Sequence, residues 1–332
     1  MLSAAVLAAP ASAAVKEVLG GRLEVVTPEG RGQLAIATSQ DWNAPLPQIE
    51  RAVVVFHGVN RDAANYLRYA LTALRDAGAS ESATLIVTPQ FLSTADVRDG
   101  LADDLLRWRR AGWEDGLPAA APASISSFEA IDAILARLSD RTRFPALREV
   151  VLAGHSGGGQ VVQRYAVVGQ GEAALAARAV SVRYVVANPS SYLYFSNARP
   201  TGDSTFAPVN EVACPTANRW KYGWADAPAY ARALSPAAYE ARYVARDVIY
   251  LLGGADIRPD HPALDKSCAG EAQGAWRLAR GQAYVTYLRQ GNPALGHRAW
   301  IVPKVGHDAG RMFDSACGRA ALFDLGGCRT VF

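Results

Sequence analysis

Two short stretches of this sequence combine residue types that can carry covalent chemistry. The first is Val150-Val151-Leu152-Ala153-Gly154-His155-Ser156-Gly157-Gly158-Gly159-Gln160, an apolar run that enters Gly-x-Ser-x-Gly and leads into a helix-like segment. With 29 glycines in the chain the bare pattern is common, so its context decides. A serine on a tight strand-to-helix turn adopts a strained backbone, and glycines two before and two after it remove Cβ atoms that would collide there. The positive end of the following helix also favours an anion formed beside the serine. Reading Gly154 to Gly159 as a phosphate cradle fails on two counts. A P-loop needs Lys-Ser/Thr after its last glycine, whereas Gln160 and Val161 follow here, and a dinucleotide site occupies the first strand-helix turn, whereas this one is late.

A serine hydroxyl is a poor nucleophile until a base takes its proton, and that base needs a third group to fix its tautomer. The chain has five histidines. His307 lies in the second stretch, Val305-Gly306-His307-Asp308, just after an apolar run, which is where a base would return to Ser156. His57 and His155 adjoin glycines at other turns and are expected to shape the site and touch substrate. His261 and His297 read as ordinary loop or surface residues. For the orienting acid, Gly253-Gly254-Ala255-Asp256 follows an apolar run, and Asp256 is preferred over Asp260 and Asp265, which sit farther along a proline-containing loop. The acids and His261 in this region lack a recognised cation-loop spacing, so no metal is expected. Two donors must face the developing oxyanion. The N–H of Gly157 is one, and Val59, in His57-Gly58-Val59 after an early apolar run, is the expected second.

These residues require elements that bring them together. Segments 22–27 and 33–38 flank a Pro/Gly-containing turn and predict a hairpin. Beyond them, continuous apolar runs at 52–56, 83–88, 149–153, 182–187, 248–252 and 299–302 alternate with helical spacing at 63–77, from Ser126 onward, at 161–168 and at 275–288. Ser126 and Glu129 form a capping-box pattern. Such alternation predicts an α/β fold with a mostly parallel sheet, helices on both faces, and a ligand site beyond the carboxyl ends of the strands. Segments 91–124 and 188–246 interrupt the alternation and are expected to cover the site, the second carrying a helix at 236–244 capped by Ser235. Their aromatics, notably Tyr192, Tyr194 and Trp220, are candidate substrate contacts and equally what a cover needs to pack on the body, and Arg109, Arg110 and Arg199 could meet an acidic substrate.

The order Ser156, Asp256, His307, with gaps of 100 and 51 residues, resembles the α/β-hydrolase superfamily. The His-Gly turn after an early strand and the Gly-His-Ser-Gly-Gly elbow carry the same resemblance. It covers essentially the whole chain after the N-terminal stretch, and within the superfamily the compact architecture is similar to secreted polyester depolymerases and feruloyl-esterase-type enzymes. The resemblance implies nucleophile Ser156, base His307, orienting acid Asp256 and an acyl-enzyme on a small or polymeric ester, with no cofactor. An amidase or peptidase using the same triad, and a non-catalytic binding protein on the same fold, are the alternatives.

Composition agrees with a globular protein of one domain over 15–332: 332 residues, 50% hydrophobic and 20% charged. Lys+Arg at 34 against Asp+Glu at 31 leaves +3, and no basic run forms a nucleic-acid footprint. No apolar stretch reaches the roughly 20 residues that a membrane-spanning helix needs. Residues 1–14 read as a secretory signal ending in Ala11-Ser12-Ala13, although no basic residue precedes its apolar region, so a secreted or periplasmic protein is expected. Four cysteines in an exported chain suggest the disulfides Cys214–Cys268 and Cys317–Cys328.

Overall fold

The computed structural model describes residues 14–96, 101–202 and 204–328; positions 1–13 of the export-signal reading lie outside them. The central sheet has eight strands: β1 (Gly21–Thr27), β2 (Gly30–Thr38), β3 (Arg51–Phe56), β4 (Thr84–Gln90), β5 (Glu149–His155), β6 (Ser181–Ala187), β7 (Asp247–Gly253) and β8 (Arg298–Val302). Their order is β1-β2-β4-β3-β5-β6-β7-β8. The first two form the expected hairpin, with Thr27 paired to Gly30, and β2 runs antiparallel to β4. From β4 to β8 the sheet is parallel.

The apolar runs are continuous because both faces of the sheet are covered. In β3, Ala52, Val54 and Phe56 enter one core while Val53 and Val55 enter the other, as the two-residue period of a strand dictates. Helices α1 (Ala63–Asp76), α2 (Ser127–Leu138), α3 (Gly157–Val168), α4 (Pro236–Val244), α5 (Arg277–Gly291), α6 (Ala309–Asp314) and α7 (Ala316–Phe323) divide between the two faces. Residues of α2, α3, α4 and α5 fill the first core, and residues of α1, α6 and α7 fill the second. Each fully buried Val, Leu, Ile or Phe contributes roughly 1.5–3 kcal/mol by leaving water. The Ser126 capping box forms, with Oγ accepting from Phe128 N–H and the Ser126 N–H donating to Glu129. Ser235 likewise caps α4.

Several expectations are corrected. Helix α3 begins at Gly157 rather than 161, because its first turn, Gly157-Gly158-Gly159-Gln160, carries no apolar period. Helices α6 and α7, too short to register as periodic segments, complete the second face. Among the described residues, the aromatics of both excursions pack on the body. Trp108 and Trp113 are fully buried, with Phe91 stacked on Trp113 at 5.6 Å. In the second excursion Tyr192 stacks on Tyr284 of α5 at 4.5 Å, and Trp224 stacks on Tyr239 of α4 at 5.3 Å. The expected disulfides are formed: Cys214–Cys268 ties this excursion to the chain beyond Asp256, and Cys317 in α7 bonds Cys328.

Candidate active site

Strand β5 ends on His155 and α3 begins on Gly157, so Ser156 makes the turn between them with φ 60° and ψ −120°. A non-glycine residue in such a conformation costs of order 1–3 kcal/mol and persists only where its surroundings enforce it. Here they do. A Cβ on Gly154 would stand 2.2 Å from the Gly158 carbonyl oxygen, and one on Gly158 would stand 2.2 Å from that of Phe56. The Ser156 N–H donates to Ala187 O at the end of the neighbouring strand.

Asp256 follows β7 and His307 follows β8, so the sheet delivers both to the carboxyl edge where Ser156 stands. The Ser156 Oγ lies 2.9 Å from His307 Nε2, and His307 Nδ1 lies 2.8 Å from Asp256 Oδ2. An Nδ1–H donated to the carboxylate leaves Nε2 as acceptor for the serine proton. Burial holds the His307 pKa below the ordinary histidine value; the Asp256 hydrogen bond opposes this and the Arg277 charge adds to it. Its rivals lie elsewhere: Asp260 pairs with Arg258 in solvent, and Asp265 accepts from the Tyr222 hydroxyl. The arrangement can lower the cost of a serine alkoxide and return the proton to a leaving group.

Val59 and Gly157 flank Ser156 from two elements, the loop after β3 and the first turn of α3. His57 is fully buried. Its Nδ1 is 2.8 Å from Gly58 O, while Nε2 accepts from the Phe91 N–H at 2.9 Å. Burial pushes its pKa down to about 4, so the ring stays neutral and pins the His-Gly turn instead of contacting substrate as expected.

An open cleft of about 700 Å³ meets Ser156. His155 and His307 reach it, together with Asn60, Asp62, Tyr66, Tyr69, His261 and Asp308. Among the described residues, none from the 188–246 excursion lines it. Tyr192 and Tyr194 are therefore corrected to core residues, and Trp220 packs beside the same core with its indole N–H on Asp115 O. Arg199 is buried too, with its guanidinium donating to Ala217 and Tyr222 carbonyls. His155 remains in the cleft wall, its ring 4.6 Å from that of His307. Gln160 holds the buried Glu114 carboxyl, whose pKa burial pushes up to about 7.

Three site residues escaped the sequence reading. His261 sits 4.9 Å from the His307 ring. Tyr66 falls within the helical spacing at 63–77 and Arg277 within that at 275–288, and neither stands out there. Their sequence signal is weak: an aromatic shortly after the His-Gly turn, and an arginine opening the helix that follows the acid loop.

The solved structures similar over nearly the whole chain include the following two. A poly(3-hydroxybutyrate) depolymerase from Bordetella parapertussis has a TM-score of 0.63 at 21% identity, covering 94% of this chain and 92% of that one. Poly(aspartic acid) hydrolase-1 from Sphingomonas sp. KT-1 has a TM-score of 0.60 at 20% identity, covering 92% of this chain and 100% of that one. No protein-family model matches, and no curated protein matches.

Proposed function

We propose that this chain, which has the α/β-hydrolase fold, is a serine hydrolase that cleaves carboxylic esters through an acyl-enzyme on Ser156. The observation that carries the reading is the continuous hydrogen-bonded line Ser156–His307–Asp256, started by a serine on an enforced positive-φ turn. Ser156 Oγ attacks the substrate carbonyl carbon while His307 Nε2 takes its proton. The oxyanion rests against the N–H groups of Val59 and Gly157. On collapse the C–O bond to the alcohol breaks, and His307 returns the proton to that oxygen. Water then repeats the sequence against the acyl-enzyme, and Asp256 holds the His307 tautomer throughout.

Two of the solved neighbours are named for hydrolysis of a polyester and of a poly(aspartic acid), so the same fold serves ester and amide bonds. The acid rim of this cleft, Asp62 and Asp308, with no Lys or Arg among the described residues that line it, favours a neutral ester over a polyanion. Two disulfides fit an oxidising compartment and support the secreted or periplasmic reading. The test is hydrolysis of 4-nitrophenyl esters of increasing acyl length beside matched 4-nitroanilides, with Ser156→Ala as the blank. Ester turnover that vanishes in the blank is expected. Turnover of anilides only would move the assignment to an amidase, and no serine-dependent turnover of either would overturn it.

A further inference from the structure

The hydroxyl of Tyr66 occupies a position that packing does not require. Tyr66 lies on the buried face of α1, and its ring is held edge-on by Tyr69 at 5.8 Å and Phe313 at 6.4 Å, contacts a phenylalanine would also make. Its phenol end instead reaches the wall of the Ser156 cleft. A Cβ placed on Gly58 would stand 2.9 Å from the Tyr66 oxygen and 3.5 Å from Ser156 Cβ, so the phenol and the serine flank the same point of the loop that carries Val59. The Gly58 backbone beside the phenol oxygen favours the phenolate, against the larger opposing effect of burial. A phenol O–H is a single donor, and at this place it stands beside the cleft that Ser156 faces. Burial raises the Tyr66 pKa far above the ordinary tyrosine value, so this proton is present at every working pH.

Resting on the serine-hydrolase reading above, we propose that Tyr66 is a further catalytic residue: its O–H donates to the substrate carbonyl oxygen as that oxygen becomes the oxyanion, beside the N–H groups of Val59 and Gly157. No proton is transferred; the phenol contributes a preorganised dipole where charge develops. Gly58 is then glycine for a specific reason, since any side chain there would separate the phenol from the serine.

The experiment compares wild type, Tyr66→Phe and Tyr66→His on the best 4-nitrophenyl ester, reading kcat and KM separately. It adds inhibition by an alkyl trifluoromethyl ketone, which forms a hemiketal oxyanion on a serine, and a melting curve for each protein. Tyr66→Phe is expected to lower kcat by about tenfold or more with KM nearly unchanged, and to weaken the ketone by a similar factor while Tm holds. Tyr66→His, which restores a donor, is expected to recover part of the rate. A kcat within about twofold of wild type overturns the proposal. So does a rate loss that leaves ketone affinity intact, which would assign Tyr66 to holding Gly58. If Tyr66→Phe loses its fold, recovery in Tyr66→His decides, since a packing role would tolerate imidazole less well. Wild type lacking turnover that depends on Ser156 would instead sink the serine-hydrolase reading, and this proposal with it.

Discussion

The guanidinium of Arg277 lies 3.4 Å from Oδ1 of Asp256, on the opposite side of the carboxylate from His307. Arg277 is itself buried, and it also donates to Ser190 Oγ and to the carbonyl of Ala263 in the loop that presents His261. One cation therefore ties the acid to a wall of the cleft. A buried pair of this kind is not a dependable source of stability, because desolvation offsets much of the attraction. Its placement bears more directly on chemistry.

The His307 pKa is lowered first by burial and then by the Arg277 charge, against the raising effect of Asp256 and Asp308. In the proposed mechanism the base works neutral, so a lowered pKa would keep turnover going further into acid than an ordinary histidine near 6.5 would allow. Removing the cation reverses that contribution. The acid limb of kcat/KM is expected to move to higher pH in Arg277→Gln, with Arg277→Lys closer to wild type. The check is a pH–rate profile of each variant; a limb that stays in place or moves downward would reject the electrostatic role.

The serine turn makes a sterically sharp prediction. Gly158→Ala places a methyl group 2.2 Å from the Phe56 carbonyl oxygen, against backbone that cannot swing away. The turn must open, and with it the Ser156–His307 distance of 2.9 Å. Activity is expected to fall by at least about a hundredfold, since a misplacement of about 1 Å is enough for that. Gly296→Ala is the control, because nothing stands within 4 Å of its Cβ. Esterase assays and labelling of Ser156 by an organophosphonate, run on both proteins, measure the contrast. Equal activity in the two variants would remove the steric account of the turn.

What could be read from the sequence was local. Apolar β-branched runs buried on both faces announce parallel strands, and residues just past their ends, Ser156, Asp256 and His307, inherit the carboxyl edge of the sheet. The glycines around Ser156 were legible because a tight turn leaves no other choice. What escaped depends on partners distant in sequence. An arginine on a helix reads as solvated until Asp256, 21 residues earlier, folds onto it. Aromatic density does not distinguish a roof from a core, and it was the stacking of Tyr192 on Tyr284 that placed the second excursion on the body. Tyr66 was visible as a buried helix residue, but the value of its hydroxyl depends on Gly58, which another element supplies.

The two disulfides differ in what they constrain, and this can be measured. Cys214–Cys268 spans 54 residues and joins the second excursion to the chain just beyond the acid loop, where Tyr222 also donates to Asp265. Cys317–Cys328 spans 11 residues near the carboxyl end of the described chain. In the chain-entropy picture the longer loop is worth about 4 kcal/mol and the shorter about 3 kcal/mol, before any relaxation of the native state. The double variant Cys214→Ser/Cys268→Ser is therefore expected to lose more melting temperature than Cys317→Ser/Cys328→Ser. It is also expected to lose activity on warming before global unfolding, because the released segment packs beside the loop that carries Asp256. Differential scanning calorimetry alongside residual esterase activity at each temperature tests both statements. If the two variants melt together, the loop-length argument fails; if activity and melting coincide in the first, the acid loop does not depend on that cross-link.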